Sequence, residues 1–264
     1  MGENTRPAND IAARNIERFG ARAAGYRTSA THCSGRDLEL LVEQVAPRPG
    51  ERALDVATGA GHVALSLARA GARVTVTDLT PAMLKEARAH LESEGVAARY
   101  EIADATALPF PDAYFAVVTC RIAAHHFSDA QMFFAEVERV LRPGGRLGFQ
   151  DQSLPPEGTS AVMIDAFERL RDPSHNQSYN AAAWATLAER AGLEVTFTEL
   201  VDKRHDFTEW TAIQDCPTET VRKLEALMAE CPSAMREWSA PEYDDGTLMA
   251  FRNRHLVMLA RKPD

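Results

Sequence analysis

Long apolar runs are missing from this chain. Arg, Lys, Asp or Glu interrupts every candidate before the ~18–20 residues a membrane-spanning helix requires, so no membrane insertion is expected. The stretch from Met1 to Asp10 carries Glu3, Arg6 and Asp10 without an apolar segment, and no secretory signal is read in it. Cysteine is scarce: Cys33, Cys120, Cys216 and Cys231 are widely spaced and form no Cys-x-x-Cys pair. That pattern excludes a disulfide scaffold, leaves zinc without a ligand spacing, and points to reduced thiols in a cytoplasmic protein. Basic charge is in deficit, with 29 Lys and Arg against 38 Asp and Glu and a net charge of −9. Binding to a phosphate backbone needs clustered cations, so the balance argues against nucleic acid as a partner. A small-molecule partner is expected instead, with the oligomeric state open and a homodimer among the options. The remaining composition, 45% hydrophobic and 25% charged, is that of a folded globular protein. Its 264 residues make one large domain or two small ones.

From about residue 37 to residue 148, short β-branched or apolar runs alternate with amphipathic ones. Arg52 to Ala57 reads as a buried strand, followed by a helix from about Gly61 to Ala70. Arg73 to Thr77 is a second strand. The next helix begins with Thr80 as N-cap and Pro81 at its first position, where the missing N–H costs nothing. Ala98 to Ile102 and Phe115 to Thr119 read as the third and fourth strands. A capping box of Ser128 and Gln131 then opens a helix that stops before Pro143-Gly144-Gly145, and Arg146 to Gln150 is a fifth strand. Such alternation builds right-handed βαβ units and a parallel sheet. Beyond Asp151 the pattern loosens: helices near 159–171, 180–191 and 218–230, a strand over Glu194 to Val201, and a last strand from His255 to Arg261. The first 36 residues hold a helix around Ile11 to Phe19 and a polar segment.

The most informative stretch is Leu54-Asp-Val-Ala-Thr-Gly-Ala-Gly-His-Val-Ala64, where a strand runs through Gly59-Ala60-Gly61 into a helix. Small residues let a ligand approach the backbone there. Asp78, at the end of the second strand, is placed to accept hydrogen bonds from both ribose hydroxyls. Gly59, Gly61 and Ala64 with Asp78 also satisfy a dinucleotide fingerprint, which keeps an NAD-dependent oxidoreductase open as a rival. Two further carboxylates separate the readings. Asp55, inside the first strand, can meet an α-ammonium group but would lie badly against a pyrophosphate. Asp104, after the third strand, can accept from an adenine amino group beside the backbone N–H of Ala105. Ammonium, ribose and adenine recognition in that order describes S-adenosyl-L-methionine.

With these motifs the sequence resembles the class I S-adenosylmethionine-dependent methyltransferases, nearest the group of ubiquinone/menaquinone-biosynthesis C-methyltransferases. Leu54 to Gly61 resembles the first family motif, Val76-Thr-Asp78-Leu-Thr-Pro-Ala-Met83 the second, Ala103 to Asp112 the third, and Arg139-Val-Leu-Arg-Pro-Gly-Gly145 the signature before the fifth strand. The match is firm over about residues 45–150. Ala57 stands where many members have glycine. The resemblance implies an α/β fold: a Rossmann-like, doubly wound, seven-stranded sheet, mostly parallel with an antiparallel last strand, plus helical flap and cap segments. Residues 1–36 are then an N-terminal helix and flap, 37–151 the cofactor-binding core, and 152–264 the rest of the domain with a cap over the acceptor pocket. It further implies methyl transfer by in-line displacement, with a non-catalytic cofactor-binding protein as a further alternative.

The cofactor-binding residues carried over are Tyr26, Asp55, Ala57, Gly59, Ala60, Gly61, Asp78, Leu79, Met83, Asp104, Ala105 and Arg121. Tyr26 and His32 resemble residues of the family's flap. His126 and His125, after the fourth strand, are the candidate bases, because imidazole titrates near neutral pH. Being adjacent, they are expected to point to different sides, which argues against a shared metal. The fourth strand ends in Thr119-Cys120-Arg121 rather than an Asn-Pro-Pro-Tyr motif, which weighs against methylation of nucleic-acid bases. Trp184 reads as core. Trp210, Trp238 and Tyr243 lie in a segment expected to roof the acceptor pocket, though aromatic residues there more often pack than recognise. His175 is a remote candidate base.

Overall fold

The computed structural model describes residues 8–28, 33–156 and 158–264. Strands β1 (Arg52–Val56), β2 (Arg73–Asp78), β3 (Arg99–Ile102), β4 (Phe115–Arg121), β5 (Leu141–Leu154), β7 (Glu194–Asp206) and β9 (Thr247–Arg261) form one sheet in the order β3-β2-β1-β4-β5-β9-β7. The first five of these pair in parallel. β9 inserts antiparallel between β5 and β7. Two short strands, β6 (Tyr179–Asn180) and β8 (Glu242–Asp244), add to β5 and β9 at its margin. The seven-stranded plan with its antiparallel closing strand is therefore as the motifs implied, and the order reverses between β1 and β4, the place where such sheets bind ligands.

β1, β2 and β4 are buried on both faces, which is why they read as near-continuous apolar runs. One face is covered by α2 (Arg36–Val45), α3 (His62–Arg69) and α4 (Pro81–Ser93), packing Leu41, Val45, Leu67 and Leu91 on Val76 and Val117. The other carries α5 (Ala130–Val140) and α7 (Ala181–Arg190), where Phe133, Phe134 and Trp184 enclose Phe149. Trp184 is fully buried and donates its Nε1–H to the Gln152 carbonyl at 3.0 Å, so its core assignment holds. A third cluster joins α6 (Thr159–Arg171), α8 (Phe207–Ala212), α9 (Thr218–Ala229) and α10 (Ser233–Ser239) around Phe167, Trp210, Met228 and Phe251.

Several boundaries shift. The helix after β4 is capped by Asp129, which accepts from the Met132 N–H at 2.9 Å, and not by Ser128: a carboxylate next to the first turn displaces the hydroxyl. Thr80 occupies the N-cap of α4 without a side-chain capping bond, and its own N–H donates to the Asp78 carboxylate. β5, β7 and β9 all run further than hydrophobicity suggests. The extension of β5 buries Asp151, Gln152 and Ser153, and the second half of β7 is Asp-Lys-Arg-His-Asp. The N-terminal helix α1 (Ala8–Thr28) is twice the length read from its apolar spacing.

Arg139 explains the signature before β5. Its guanidinium donates to the carbonyls of Leu108 and Phe110 and to Asp112, and ion-pairs with Glu136 at 2.8 Å. Glu136 in turn accepts the Leu108 N–H. The pair thus staples α5 to the loop that follows Asp104. Replacing Arg139 by Met is expected to cost about 2 kcal/mol of unfolding free energy in urea titration, because it strands two carbonyls and a carboxylate. Arg142→Met, which removes only an ion pair to Glu51 from a half-exposed side chain, should cost under about 0.5 kcal/mol.

Candidate functional site

The C-terminal ends of β1, β2 and β4 and the turn after β3 open into one cleft of about 1060 Å³, measured out to its mouth. Asp55, Ala57, Gly59, Ala60, Asp78, Leu79, Met83, Asp104, Ala105, Arg121, Tyr26 and His126 all line it. Of the expected site residues, Gly61 and His125 do not. His32 lies outside the described residues.

The glycine loop is shaped by left-handed backbone at three of its positions, Ala57 (φ 52°), Gly59 (φ 55°) and Gly61 (φ 83°). Ala57 bears that conformation with a Cβ, a strain of about 1 kcal/mol that glycine would avoid. At Gly59 nothing lies within 4 Å of where a Cβ would project, so the backbone is open to the cleft. Gly61 serves packing instead: a Cβ would meet Ala87 at 3.4 Å, and its absence lets the start of α3 lie on α4.

Each carboxylate is anchored by hydrogen bonds from the loops and strands around it. Asp55 accepts from the hydroxyls of Thr58 at 2.6 Å and Thr119 at 2.7 Å. Asp78 accepts the N–H groups of Gly59 at 3.0 Å and Thr80 at 2.9 Å. Burial outweighs these bonds and pushes both carboxyls up to about 6. Asp104 holds the N–H and hydroxyl of Thr106 on one oxygen. Arg121 reaches the cleft wall, but Asp37 takes its guanidinium at 2.6 and 2.9 Å and also binds Lys203. The cleft therefore carries negative sign at its buried end. Asp37 had no signal of its own in the sequence, since it lies 84 residues from Arg121.

The turn after β4 is tightly held. Asp151, fully buried on β5, accepts the N–H groups of Ala123 and His125 and the Nδ1–H of His125 at 2.6 Å. Ile122, a β-branched residue lining the cleft, is forced to φ 53°, a strained conformation of the kind stored at functional sites. A single 3₁₀ turn from Ala124 to His126 brings the two imidazoles together, centroids 4.0 Å apart, where a strand would have sent them to opposite sides. His125 is thus a buttress behind the cleft rather than a group exposed to it. Burial opposes its charge, yet the Asp151 carboxylate prevails and raises its pKa.

His126 has the opposite character. Its Nδ1–H donates to the Ser174 carbonyl at 3.1 Å, which fixes the tautomer and leaves Nε2 unprotonated, with no partner among the described residues. Burial first, and the charge on His125 second, lower its pKa and keep it neutral. Asp172 organises the supporting loop by accepting from the N–H of Ser174. His175 is bound to Asp165 at 2.7 Å and does not line the cleft.

The outer wall is α1. Ile11, Ala12, Asn15 and Phe19 line the cleft, and Phe19 meets the His126 ring edge-on at 4.9 Å. Arg18 ties the helix to Asp172 at 2.9 Å, Arg14 to the Pro173 carbonyl, and Arg22 to Asp215 at 3.0 Å. Tyr26, whose hydroxyl is pushed up to about 12 by burial, accepts from Gln214. Trp210, Trp238 and Tyr243 are not among the lining residues: Trp210 stacks on Phe167 at 5.2 Å, and Arg254 covers the Trp238 ring at 4.3 Å.

Comparisons with known proteins agree with this geometry. Residues 54–149 match the family described as "Methyltransferase domain". The chain is 35% identical over 170 residues to the uncharacterized methyltransferase YcgJ of Bacillus subtilis, covering 64% of this chain and 67% of that one. It is 42% identical over 134 residues to a demethylmenaquinone methyltransferase of Thermus thermophilus, covering 50% of this chain and only 59% of the relative. A solved Bacillus halodurans chain, assigned to the methyltransferases, superposes with a TM-score of 0.83 at 36% identity, over 87% of this chain and all of that one. The chain belongs to the class I S-adenosylmethionine-dependent methyltransferases.

Proposed function

We propose that this chain transfers a methyl group from S-adenosylmethionine to a small, partly apolar acceptor by in-line displacement, with the lining residues in the roles that follow. The observation that carries the reading is the set of three anchored carboxylates, Asp55, Asp78 and Asp104, at successive strand ends of one cleft. Two of them are held at raised pKa by burial, so a ligand that brings hydrogen-bond donors or positive charge relieves a cost the fold already bears. An adenosine carrying an amino-acid side arm is such a ligand. Pyrophosphate would add negative charge beside Asp55, which counts against NAD.

When bound, the cofactor supplies a methyl group already activated by its sulfonium, and S-adenosylhomocysteine is left. Asp78 accepts the ribose hydroxyls, and Asp104 with the Ala105 N–H receives the adenine edge between Leu79 and Met83. Asp55, through its place beside Gly59 and Ala57, meets the ammonium. Tyr26 and the end of α1 close over that group, tied to α3 by the His62 ring on the Tyr26 carbonyl. Ile11, Ala12 and Phe19 keep water from the reacting atoms, and holding nucleophile and methyl in line supplies most of the catalysis. His126 Nε2, neutral and on the cleft wall, takes the proton of an acceptor that must lose one. In this arrangement residues 1–36 act as the flap, 37–151 as the cofactor core, and 152–264 as the buttress of the acceptor side.

Calorimetry with S-adenosylhomocysteine and with NAD tests the reading: tight binding of the first and none of the second is expected, and the reverse would overturn it. Asp78→Ala should weaken S-adenosylhomocysteine binding by about 1–3 kcal/mol through a lost charge-assisted pair, and unchanged affinity would remove the ribose assignment. His126→Ala should lower kcat by about a hundredfold while leaving cofactor affinity within about twofold, the range of a single general base. Turnover that persists undiminished across the pH range would remove His126 from the chemistry.

A further inference from the structure

Asn15 lies on α1 at the wall of the cleft, with only 9% of its surface exposed. Its Nδ2 donates to the His126 carbonyl at 3.0 Å, and a carbonyl can only accept, so the orientation of the amide is settled. The other end, Oδ1, is buried and has no hydrogen-bond partner among the described residues. Buried amide oxygens are almost always satisfied, and one left without a donor at the wall of a ligand cleft marks a place where a ligand supplies it. Beside it, His126 offers Nε2, a second acceptor, because its Nδ1–H is committed to Ser174. The surrounding walls are Ile11, Ala12, Phe19 and Phe127, all apolar. The cationic side chain of the lining, Arg121, is held by Asp37, which also binds Lys203, and the carboxylates Asp55, Asp78 and Asp104 in the same lining give the cleft a negative balance that disfavours an anion.

We propose that Asn15 is a specificity-determining residue: with His126 it selects a neutral, largely apolar methyl acceptor that presents O–H or N–H donors, such as a phenol, an enol or an uncharged amine, and it rejects carboxylates and phosphates. Two acceptors carried by residues that line one pocket reward a donor-bearing ligand and leave its donor-blocked isostere with unpaired polar atoms, the arrangement that discriminates most sharply between close analogues. An uncharged primary amine gives one N–H to Asn15 and another to His126, whereas a phenol or enol shares its single O–H between them, and His126 takes that proton as the methyl group is transferred. This inference rests on the methyl-transfer reading above.

The test is calorimetric titration of the full chain, saturated with S-adenosylhomocysteine, with p-hexylphenol, p-hexylaniline, the methyl ether p-hexylanisole, and p-hexylbenzoate. The phenol and the aniline should bind about tenfold or more tightly than the ether and the benzoate. Asn15→Leu should compress the phenol-to-ether ratio to under about threefold while S-adenosylhomocysteine binding stays within about twofold. Mere loosening of α1 by the lost tie to His126 would weaken phenol and ether together and leave their ratio alone. Equal binding of phenol and ether, preferred binding of the benzoate, rejection of all four probes by cofactor-loaded protein, or an unchanged ratio in Asn15→Leu overturns the proposal. A variant that loses S-adenosylhomocysteine instead would assign Oδ1 to the cofactor and overturn it as well. Absence of S-adenosylhomocysteine binding by the unaltered protein is a different result and overturns the methyl-transfer reading itself.

Discussion

Carboxylates held out of water at the C-terminal edge of a parallel sheet are the constraint around which the molecule is arranged. Asp55 and Asp78 sit at the ends of β1 and β2, where strands buried on both faces leave no solvent to stabilise charge. Raising their pKa from near 3.8 to about 6 costs on the order of 2–3 kcal/mol each above that pH. The penalty is absent well below about pH 4, where both states are protonated, builds up between about pH 4 and 6, and is constant above. Hydroxyls and N–H groups from Thr58, Thr119, Gly59 and Thr80 hold the two groups in place without removing the penalty. Left-handed backbone at Ala57 and Ile122 adds strain in the same cleft. The fold thus stores unfavourable energy where a ligand binds, and the apolar clusters on both sheet faces supply the stability that permits it.

The acceptor side follows a different rule. There the polar groups are paired in chains that run away from the cleft: His125 to Asp151, His126 to the Ser174 carbonyl, and Asp172 to Ser174, Gln214 and Arg18. These pairings connect α1, the turn after β4, α6 and the segment after α8. The flap helix and the candidate base are positioned by the same carboxylate, Asp172, so wall and chemistry are coupled through one residue. Burial would raise its pKa, but the bonds from the Ser174 N–H and hydroxyl and the positive charge of nearby Arg171 lower it.

Between residues 52 and 121 the strands and helices begin and end within about two residues of where the sequence places them, because most strands there are short apolar runs and the helices have clear starts or stops. Legibility ended where burial is polar. Asp151, Gln152 and Ser153 are as deeply buried as any leucine, and the strand that carries them extends beyond its hydrophobic part for that reason. β7 ends in five charged or polar residues that hydrophobic patterning assigns to a loop. The site was legible to the same degree. The three carboxylates and the glycine loop stand at fixed offsets from strands, whereas His125 and His126, adjacent in sequence, take opposite roles that only the 3₁₀ turn decides. Asn15 gave no sign, since its partner, His126, lies 111 residues away. The aromatic residues before the last strand were drawn toward the pocket by their chemistry, and the helix that walls the cleft is instead the N-terminal one.

The most direct test of the central claim is the proton balance of cofactor binding. If buried Asp55 and Asp78 are the groups that receive the ligand, its donors must lower their pKa, and S-adenosylhomocysteine binding near pH 6 must release protons. Calorimetry in two buffers of different ionisation enthalpy should show a release of up to about one proton at pH 6 that disappears by about pH 8. Binding without proton release at pH 6 would contradict the account.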